Sequence, residues 1–170
     1  MLTISNFNNV SDYLSIFNAA LITDLIVILL KNIGFIRSKV LIKWYAQYNL
    51  SAVIADVLII VLGLIFLRAI YYYIFDTFSL LKFISLAVIL QLIHDTLFYL
   101  FFMNVPRGSN RMLDTFKDYA NEMSFKVLIA DALMVISTVL IASYLVNQST
   151  NTNIIVLFIS VYILPYLLYN

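Results

Sequence analysis

The stretch AVIADVLIIVLGLIFL, residues 52–67, is apolar apart from the carboxylate of Asp56. It lies in a run from about 50 to 71 that is long enough to cross a bilayer, because a membrane helix needs about 20 apolar residues. A charged carboxylate near the centre of such a helix costs roughly 2.5–3.5 kcal/mol on insertion scales. The stretch therefore predicts a transmembrane helix whose acidic residue has a partner or a task.

The composition of the whole chain indicates a membrane protein. Of the 170 residues, 64% are hydrophobic and 11% are charged, whereas ordinary soluble domains are about 45–50% apolar and about 25% charged. The net charge is +1 and no basic tract interleaved with polar linkers is present, so we expect no nucleic-acid partner. The absence of cysteine excludes disulfides, thiolate metal ligands and a cysteine nucleophile.

The hydropathy pattern predicts an all-α polytopic transmembrane bundle that forms a single domain over residues 1–170. No Lys or Arg precedes the first apolar run, which is unlike a cleavable signal peptide, so we expect the first span to be retained. The last span contains Pro165 and is short, so it is either a tilted span or a re-entrant segment. The predicted spans are residues 13–30, 50–71, 83–103, 125–145 and 154–169.

Lysine and arginine are unevenly distributed between the two sides of the predicted bundle. Eight of the ten lie in or next to the segments that join spans 1 and 2 and spans 3 and 4. The positive-inside rule places these segments in the cytoplasm and the N-terminus outside. Anionic lipids of that leaflet are the expected partners of five membrane-surface bases, Arg37, Lys39, Lys43, Arg107 and Arg111.

Two short segments outside the spans also have helical periodicity. Residues 36–45 are either an amphipathic helix on an anionic leaflet or a solvated connector with Trp44 and Tyr45 as interface anchors. In residues 113–123, an apolar stripe runs beside an acidic stripe at successive i+4 positions. We expect the acidic stripe to be the solvated face of a cytoplasmic extension of span 4. Its members are Asp114, Asp118 and Glu122.

Acidic residues occur at similar depths in the first four predicted spans. Asp24, Asp56, Asp95 and Asp131, which we call the acidic cluster, each lie about six to eight residues from the basic side. At about 1.5 Å per residue, this is roughly 9–12 Å inside the membrane boundary. Small and polar residues share their helix faces, as is typical of helix contacts in membranes. We therefore predict a buried polar group of Asp24, Asp56, Gln91, His94, Asp95, Asp131 and Thr138.

The sequence leaves two main roles open for this group, and a membrane-embedded enzyme, in which His94 and carboxylates bind a divalent metal for hydrolysis, is a third alternative. In a structural role, the acids tie the helices together through hydrogen bonds, with some protonated or paired with Lys31, Lys43 or Arg68. In a functional role, they are ligands or relay groups for a proton or cation, with His94 as a titrating partner and the metal, if any, undefined. No HExxH, nucleophile elbow or Gly-rich phosphate loop occurs, so we assign no catalytic residue and no cofactor.

The second half of the chain contains two stretches that carry a family resemblance. They are QLIHDTLFYLFF (residues 91–102) and PRGSNRMLDTFKDYANEMSFKVLIADALMVISTVLIASYL (residues 106–145). Together they resemble uncharacterised multi-span membrane proteins encoded by nucleocytoplasmic large DNA viruses. The resemblance implies residence in a virion internal membrane, or in host membranes remodelled during assembly, with copies of the chain or other virion proteins as partners. Because the chain is small, has very short predicted loops and contains no catalytic motif, we expect a non-enzymatic membrane component, such as a viral inner-membrane or assembly protein. The alternative is a small proton or cation transporter or channel that uses the intramembrane aspartates.

Overall fold

The computed structural model describes residues 3–170, and over that range the chain is helical, with short connections and no strand. The predicted all-α class is therefore confirmed. In chain order the helices are α1 (Asp12–Asn32), α2 (Lys39–Tyr48), α3 (Leu50–Ile74), α4 (Leu80–Asn104), α5 (Arg111–Met123), α6 (Lys126–Leu145) and α7 (Thr150–Leu168).

Five of these helices, α1, α3, α4, α6 and α7, are long and apolar enough to cross a membrane. They coincide with the five predicted spans, and the chain is an integral membrane protein with a helical bundle. α7 is an uninterrupted helix of 19 residues that continues through Pro165. At about 1.5 Å per residue it measures about 28 Å, close to the hydrocarbon thickness of about 30 Å. This length favours the spanning alternative over the re-entrant one.

The first helix is the centre of the bundle, because α1 packs against α3, α6 and α7. Ile16, Ala19, Ala20 and Ile28 of α1 are fully enclosed. The two alanines let neighbouring backbones approach closely, which favours helix packing in membranes. The fourth helix is peripheral, since it buries few of its side chains. The buried residues of α4 are Phe83, Ala87 and Phe102.

Polar side chains bridge α1 to its neighbours inside the bundle. Asn18 Nδ2 donates to the backbone oxygen of Asn153 on α7 at 2.8 Å, and the Ser15 hydroxyl donates to Asn153 Oδ1 at 3.2 Å. On another side of α1, the Thr138 hydroxyl of α6 donates to the hydroxyl of Thr23 at 3.0 Å. These bonds satisfy polar groups that are costly to leave unpaired away from water.

The two short helices, α2 and α5, lie against each other at the basic end of the bundle. The Glu122 carboxylate of α5 accepts hydrogen bonds from the backbone nitrogens of Lys39 at 2.8 Å and Val40 at 3.0 Å. These nitrogens belong to the first turn of α2, where free N–H groups and the helix dipole favour a carboxylate. The Tyr48 hydroxyl of α2 also donates to the backbone oxygen of Arg111 at 2.7 Å. Glu122 thus caps α2 and joins it to α5.

The acidic stripe of α5 makes specific contacts, which differs from the solvated face expected from its sequence. Asp118 pairs with Arg107 at 3.0 Å and with Lys43 at 3.5 Å. Asp114 accepts a hydrogen bond from the backbone nitrogen of Gly108 at 2.9 Å. The difference arises because the connection before α5 and the neighbouring helix α2 both lie against this stripe. The stripe therefore helps to hold the basic end together.

A buried ion pair organises the opposite end of the bundle. Arg68 of α3 is 1% exposed and donates to Asp12 Oδ2 at 2.8 Å. The same guanidinium donates to the backbone oxygens of Asn6 and, at 3.0 Å, of Asn9. Arg68 does not neutralise the acidic cluster, because it lies about 18 Å along α3 from Asp56. It anchors the N-terminal segment instead.

Removal of the Arg68 side chain is expected to destabilise the bundle. In Arg68→Ala, Asp12 keeps a buried charge without its partner, and such a loss costs about 3–5 kcal/mol. Lys82→Ala removes an exposed base and is the control, with an expected change within about 0.5 kcal/mol. Thermal unfolding in detergent micelles measures both variants. Equal melting temperatures for the two variants would contradict the role given to the ion pair.

The contact between α2 and α5 is expected to weaken in acid. The hydrogen bond from Arg107, with the charges of Arg107 and Lys43, holds the pKa of Asp118 below its usual 3.8. A lowered pKa stabilises the folded contact above about pH 4, and this contribution disappears as the pH falls through the lowered pKa. The effect is small, a few tenths of a kcal/mol, because the pair is partly exposed.

Hydrogen exchange of the α5 backbone, corrected for intrinsic rates, measures this acid dependence. The wild type is expected to lose protection as the pH falls from about 4 through the lowered pKa of Asp118, and Asp118→Asn is expected to have a flatter profile. Parallel profiles for the two proteins would count against a contribution from Asp118.

Candidate functional site

Asp24 of α1 and Asp56 of α3 are brought together by Tyr45 of α2. The Tyr45 hydroxyl oxygen lies 2.6 Å from Asp24 Oδ1 and 3.2 Å from Asp56 Oδ2. Asp24 is 0% exposed and Tyr45 is 1% exposed, so the hydroxyl meets Asp24 inside the protein. One hydroxyl group therefore joins two spanning helices to a short helix.

Trp44 adds a second donor from α2. Its indole nitrogen Nε1 donates to Asp56 Oδ2 at 2.9 Å. The buried ring packs against Tyr48 and against Phe116 of α5, with 4.9 Å between ring centroids in each case. An indole N–H only donates and an ionised carboxylate only accepts, so this bond fixes the position of α2 on α3. Phe116 in turn supports the indole from α5.

The hydroxyl of Tyr45 stays protonated in this environment. Burial raises its pKa well above the usual 10.0, and the neighbouring carboxylate of Asp56 raises it further. A phenol with such a raised pKa keeps its hydrogen at physiological pH. Tyr45 therefore acts as a hydrogen-bonding hydroxyl and not as a phenolate.

The acid of α4 forms a local group with two neighbours. Asp95 Oδ1 accepts a hydrogen bond from Gln91 Nε2 at 2.7 Å and lies 3.2 Å from His94 Nδ1. The His94 ring also stacks on Phe98, with 5.7 Å between centroids. Asp95 is mostly enclosed, whereas His94 is partly exposed. These three predicted residues lie together, and their hydrogen bonds run within one helix.

A crevice between α3 and α4 lies beside this group, with a volume of about 340 Å³. Gln91 and His94 provide polar atoms in its lining. Gly63 of α3 contributes open space, since a Cβ at that position would meet no atom within 4 Å. The rest of the lining is apolar and includes Leu62, Phe66, Ala87 and Leu90. The crevice therefore brings the imidazole to an apolar recess of the bundle.

Asp131 of α6 lies near a second tyrosine from the basic end. Burial raises the pKa of Tyr119 on α5 above its usual value, and the charges of Asp131, Asp56 and Glu122 raise it further. Asp131 also lies within electrostatic range of Asp95 and Asp56. The acidic cluster is thus electrostatically connected across four helices, and α2 and α5 each contribute a tyrosine to it.

Thr138 and the predicted bases lie outside the acidic cluster. Thr138 contacts Thr23 in the packing between α6 and α1. Lys31 Nζ stands over the ring of Tyr45, 5.8 Å from its centroid, and Lys43 pairs with α5. Across residues 3–170, no lysine or arginine forms an ion pair with the cluster. Asp24, Asp56 and Asp95 contact hydrogen-bond donors instead of cations.

Two of these donors, Trp44 and Tyr45, and the nearby Tyr119, which donates no hydrogen bond to the acids, are residues that the sequence did not identify as part of the site. Trp44 and Tyr45 were expected only as interface anchors, and Tyr119 had no predicted role. The available signal was that both short amphipathic helices carry aromatic N–H or O–H donors close to spans with buried acids. In the part of the chain that the structure describes, no three His, Asp or Glu side chains converge to hold a metal ion.

Comparison with known proteins identifies no relative of this chain. No protein-family model matches the chain, and neither the curated proteins nor the solved structures contain a match. The fold and the site therefore define only a class, an integral membrane helical bundle with buried carboxylates. The resemblance to viral membrane proteins stays a prediction.

Removal of the Tyr45 hydroxyl is expected to loosen α2 from the bundle. Tyr45→Phe deprives Asp24 and Asp56 of their shared partner, and loss of a hydrogen bond to a charged group costs about 1.5–3 kcal/mol. Tyr73→Phe is the matched control, because Tyr73 is 90% exposed, and it should change stability by less than about 0.5 kcal/mol.

The fluorescence of Trp44, the only tryptophan, reports the docking of α2 in this experiment. Tyr45→Phe is expected to lower the unfolding midpoint and to shift the emission to longer wavelength. An unfolding curve and an emission spectrum identical to those of Tyr73→Phe would rule out this role for the hydroxyl.

Proposed function

We propose that the chain is a non-enzymatic integral membrane protein whose acidic cluster ties the spanning helices to α2 and α5. One observation carries this proposal: the hydroxyl of Tyr45 contacts carboxylates from two spans, Asp24 and Asp56. Helices in a membrane gain little from hydrophobic attraction to one another, so polar contacts and close packing hold them together. Carboxylates engaged in such contacts support a structural role.

A role in membrane assembly is consistent with the outer surface of the bundle. The spanning helices expose large apolar side chains such as Leu62, Phe66 and Leu97, which suit lipid or a second copy of the chain. The resemblance of residues 91–102 and 106–145 to viral multi-span proteins supports a virion internal membrane, or a remodelled host membrane, as the location. Copies of the chain and other proteins of that membrane are the proposed partners.

The basic end is proposed to face the cytoplasm and to contact anionic lipids, with the N-terminus outside. All five membrane-surface bases are exposed, and a base near an anionic surface contributes about 1 kcal/mol to binding. Ile33 and Phe35 lie in the connection between α1 and α2, near Arg37, and are 67% and 77% exposed. Exposed apolar side chains beside bases are typical of a segment that lies in the membrane interface.

Transport of a proton or a cation is the second candidate function. The Oδ2 atoms of Asp24 and Asp95 are both buried without a hydrogen-bond partner. Ionisable groups with such atoms are costly inside a membrane and are typical of ion and proton pathways. The crevice between α3 and α4 is lined in part by Gln91 and His94, the two neighbours of Asp95.

A flux assay in liposomes separates the two candidates. The purified protein is reconstituted around a pH-sensitive dye, a potassium diffusion potential is applied, and proton entry is followed with and without added cations. For the structural role we expect the wild type to match protein-free liposomes. Asp56→Asn should then lower the unfolding free energy by about 1–3 kcal/mol without any change in flux.

Two further variants make the assay decisive. Asp131→Asn probes the second acid of the cluster, and Asp76→Asn changes an exposed acid outside the spans. Wild-type flux above the leak that persists in Asp76→Asn, and is lost in both Asp56→Asn and Asp131→Asn, would replace the structural proposal with the transport one.

A further inference from the structure

We infer that Asp24, Tyr45 and Asp56 form a binding site for one proton, which the carboxyl group of Asp24 holds and the hydroxyl of Tyr45 links to Asp56. The inference concerns the chemical state of the site. It does not rest on the assembly role, and it is compatible with either outcome of a flux assay.

The Tyr45 hydroxyl has fewer hydrogens than it has carboxyl contacts. A phenol carries one hydrogen, yet its oxygen lies within hydrogen-bond distance of two carboxyl oxygens, one on Asp24 and one on Asp56. With both acids ionised, one of these contacts would bring two acceptors together without a hydrogen. A proton on one carboxyl group supplies the missing donor, and both contacts become hydrogen bonds.

The hydrogen bonds of the two acids identify which of them carries the proton. Asp56 Oδ2 already accepts a hydrogen bond from Trp44 Nε1 at 2.9 Å. With the Tyr45 hydroxyl it accepts two, which is the arrangement that an ionised carboxylate favours. Asp56 therefore keeps its negative charge and acts as the acceptor of the site.

Asp24 has the opposite environment. Its side chain is fully enclosed, and Oδ2 has no hydrogen-bond partner. An ionised carboxylate with an unpaired oxygen is very costly away from water, whereas a neutral carboxyl group leaves only a carbonyl oxygen unpaired. Protonation of Oδ1 therefore gives an unbroken chain, in which Asp24 donates to Tyr45 and Tyr45 donates to Asp56.

Within residues 3–170, the groups around the site do not supply a cation in place of this proton. Lys31 of α1 stands over the ring face of Tyr45, 5.8 Å from its centroid, and not beside either carboxyl group. Lys43 of α2 is engaged by α5. Two further titratable groups lie near Asp56, Tyr119 of α5 and Asp131 of α6, and neither is a base. Additional acids make a second negative charge at Asp24 still less favourable.

The proton also has a structural consequence for α2. With the proton in place, α2 is held to α1 and α3 through one neutral and one ionised acid. Without the proton, two negative charges would share a single hydroxyl, and Tyr45 could keep a hydrogen bond to Asp24 or to Asp56 but not to both. The docking of α2 is therefore coupled to proton binding at Asp24.

Infrared spectroscopy of the folded protein in lipid tests the assignment directly. At neutral pH the wild type is expected to have the C=O stretching band of a protonated carboxylic acid, which shifts in heavy water. Asp24→Asn should remove this component, and Asp76→Asn, at an exposed acid, should leave it unchanged. Tyr45→Phe should move the band to higher frequency, because the carboxyl group loses its hydrogen-bond acceptor.

Thermal stability provides a second, independent measurement. An asparagine amide donates to Tyr45 as the protonated acid does but adds a second buried N–H, so Asp24→Asn should fold and lose less of its melting temperature than Asp56→Asn. Asp56→Asn removes the charge that strengthens two hydrogen bonds, so its melting temperature should fall by roughly 4–8 °C. This asymmetry between two isosteric substitutions is not expected if both acids are ionised.

Each contrary result overturns the assignment. A C=O band that survives in Asp24→Asn and disappears in Asp56→Asn would move the proton to Asp56. If the spectrum of Asp24→Asn differs from that of the wild type only by the loss of an ionised carboxylate band, Asp24 does not bind a proton. An Asp24→Asn variant that is at least as unstable as Asp56→Asn, together with a wild type that lacks the C=O band of a protonated acid, would show that the negative charge of Asp24 is required.

Discussion

Carboxyl groups that are cut off from water need hydrogen-bond donors from the protein itself, and Tyr45 is the donor around which this bundle closes. Its hydroxyl contacts Asp24 on α1 and Asp56 on α3. Trp44, the preceding residue, donates to the same oxygen of Asp56 and packs on Phe116 of α5. Two adjacent side chains of α2 thus connect four helices, α1, α2, α3 and α5. Asp24 and Asp56, which are costly in a membrane span, are the residues through which α1 and α3 bind α2.

The two ends of the bundle are stabilised in different ways. At the basic end, α2 and α5 meet through exposed charges, as in the pair of Lys43 and Asp118. Glu122 of α5 also accepts hydrogen bonds from the first turn of α2. Such contacts are individually weak because water and salt screen them. At the opposite end, Arg68 and Asp12 form one buried ion pair, which is costly to break.

The spans could be predicted from the sequence because membrane insertion depends on a local property, the hydropathy of about 20 consecutive residues. Every predicted boundary lies within four residues of the observed helix end. The largest difference is at the start of α7, where residues 150–153 are polar and hydropathy gives no signal. The helix begins earlier because Ser149 accepts a hydrogen bond from the backbone nitrogen of Thr152 at 3.1 Å, a local cap that satisfies a free N–H group.

The sequence by itself determined that this is a membrane bundle and which spans carry acids, since both follow from residues that are neighbours along the chain. Only the tertiary structure decided the partners of those acids. Arg68 pairs with Asp12, 56 positions away, and Asp24 meets Tyr45, 21 positions away. Contacts at such separations depend on how whole helices pack and on which way an amphipathic helix turns its aromatic face. Hydropathy treats Trp44 and Tyr45 as ordinary interface residues, whereas packing makes them the donors that the buried carboxyl groups require.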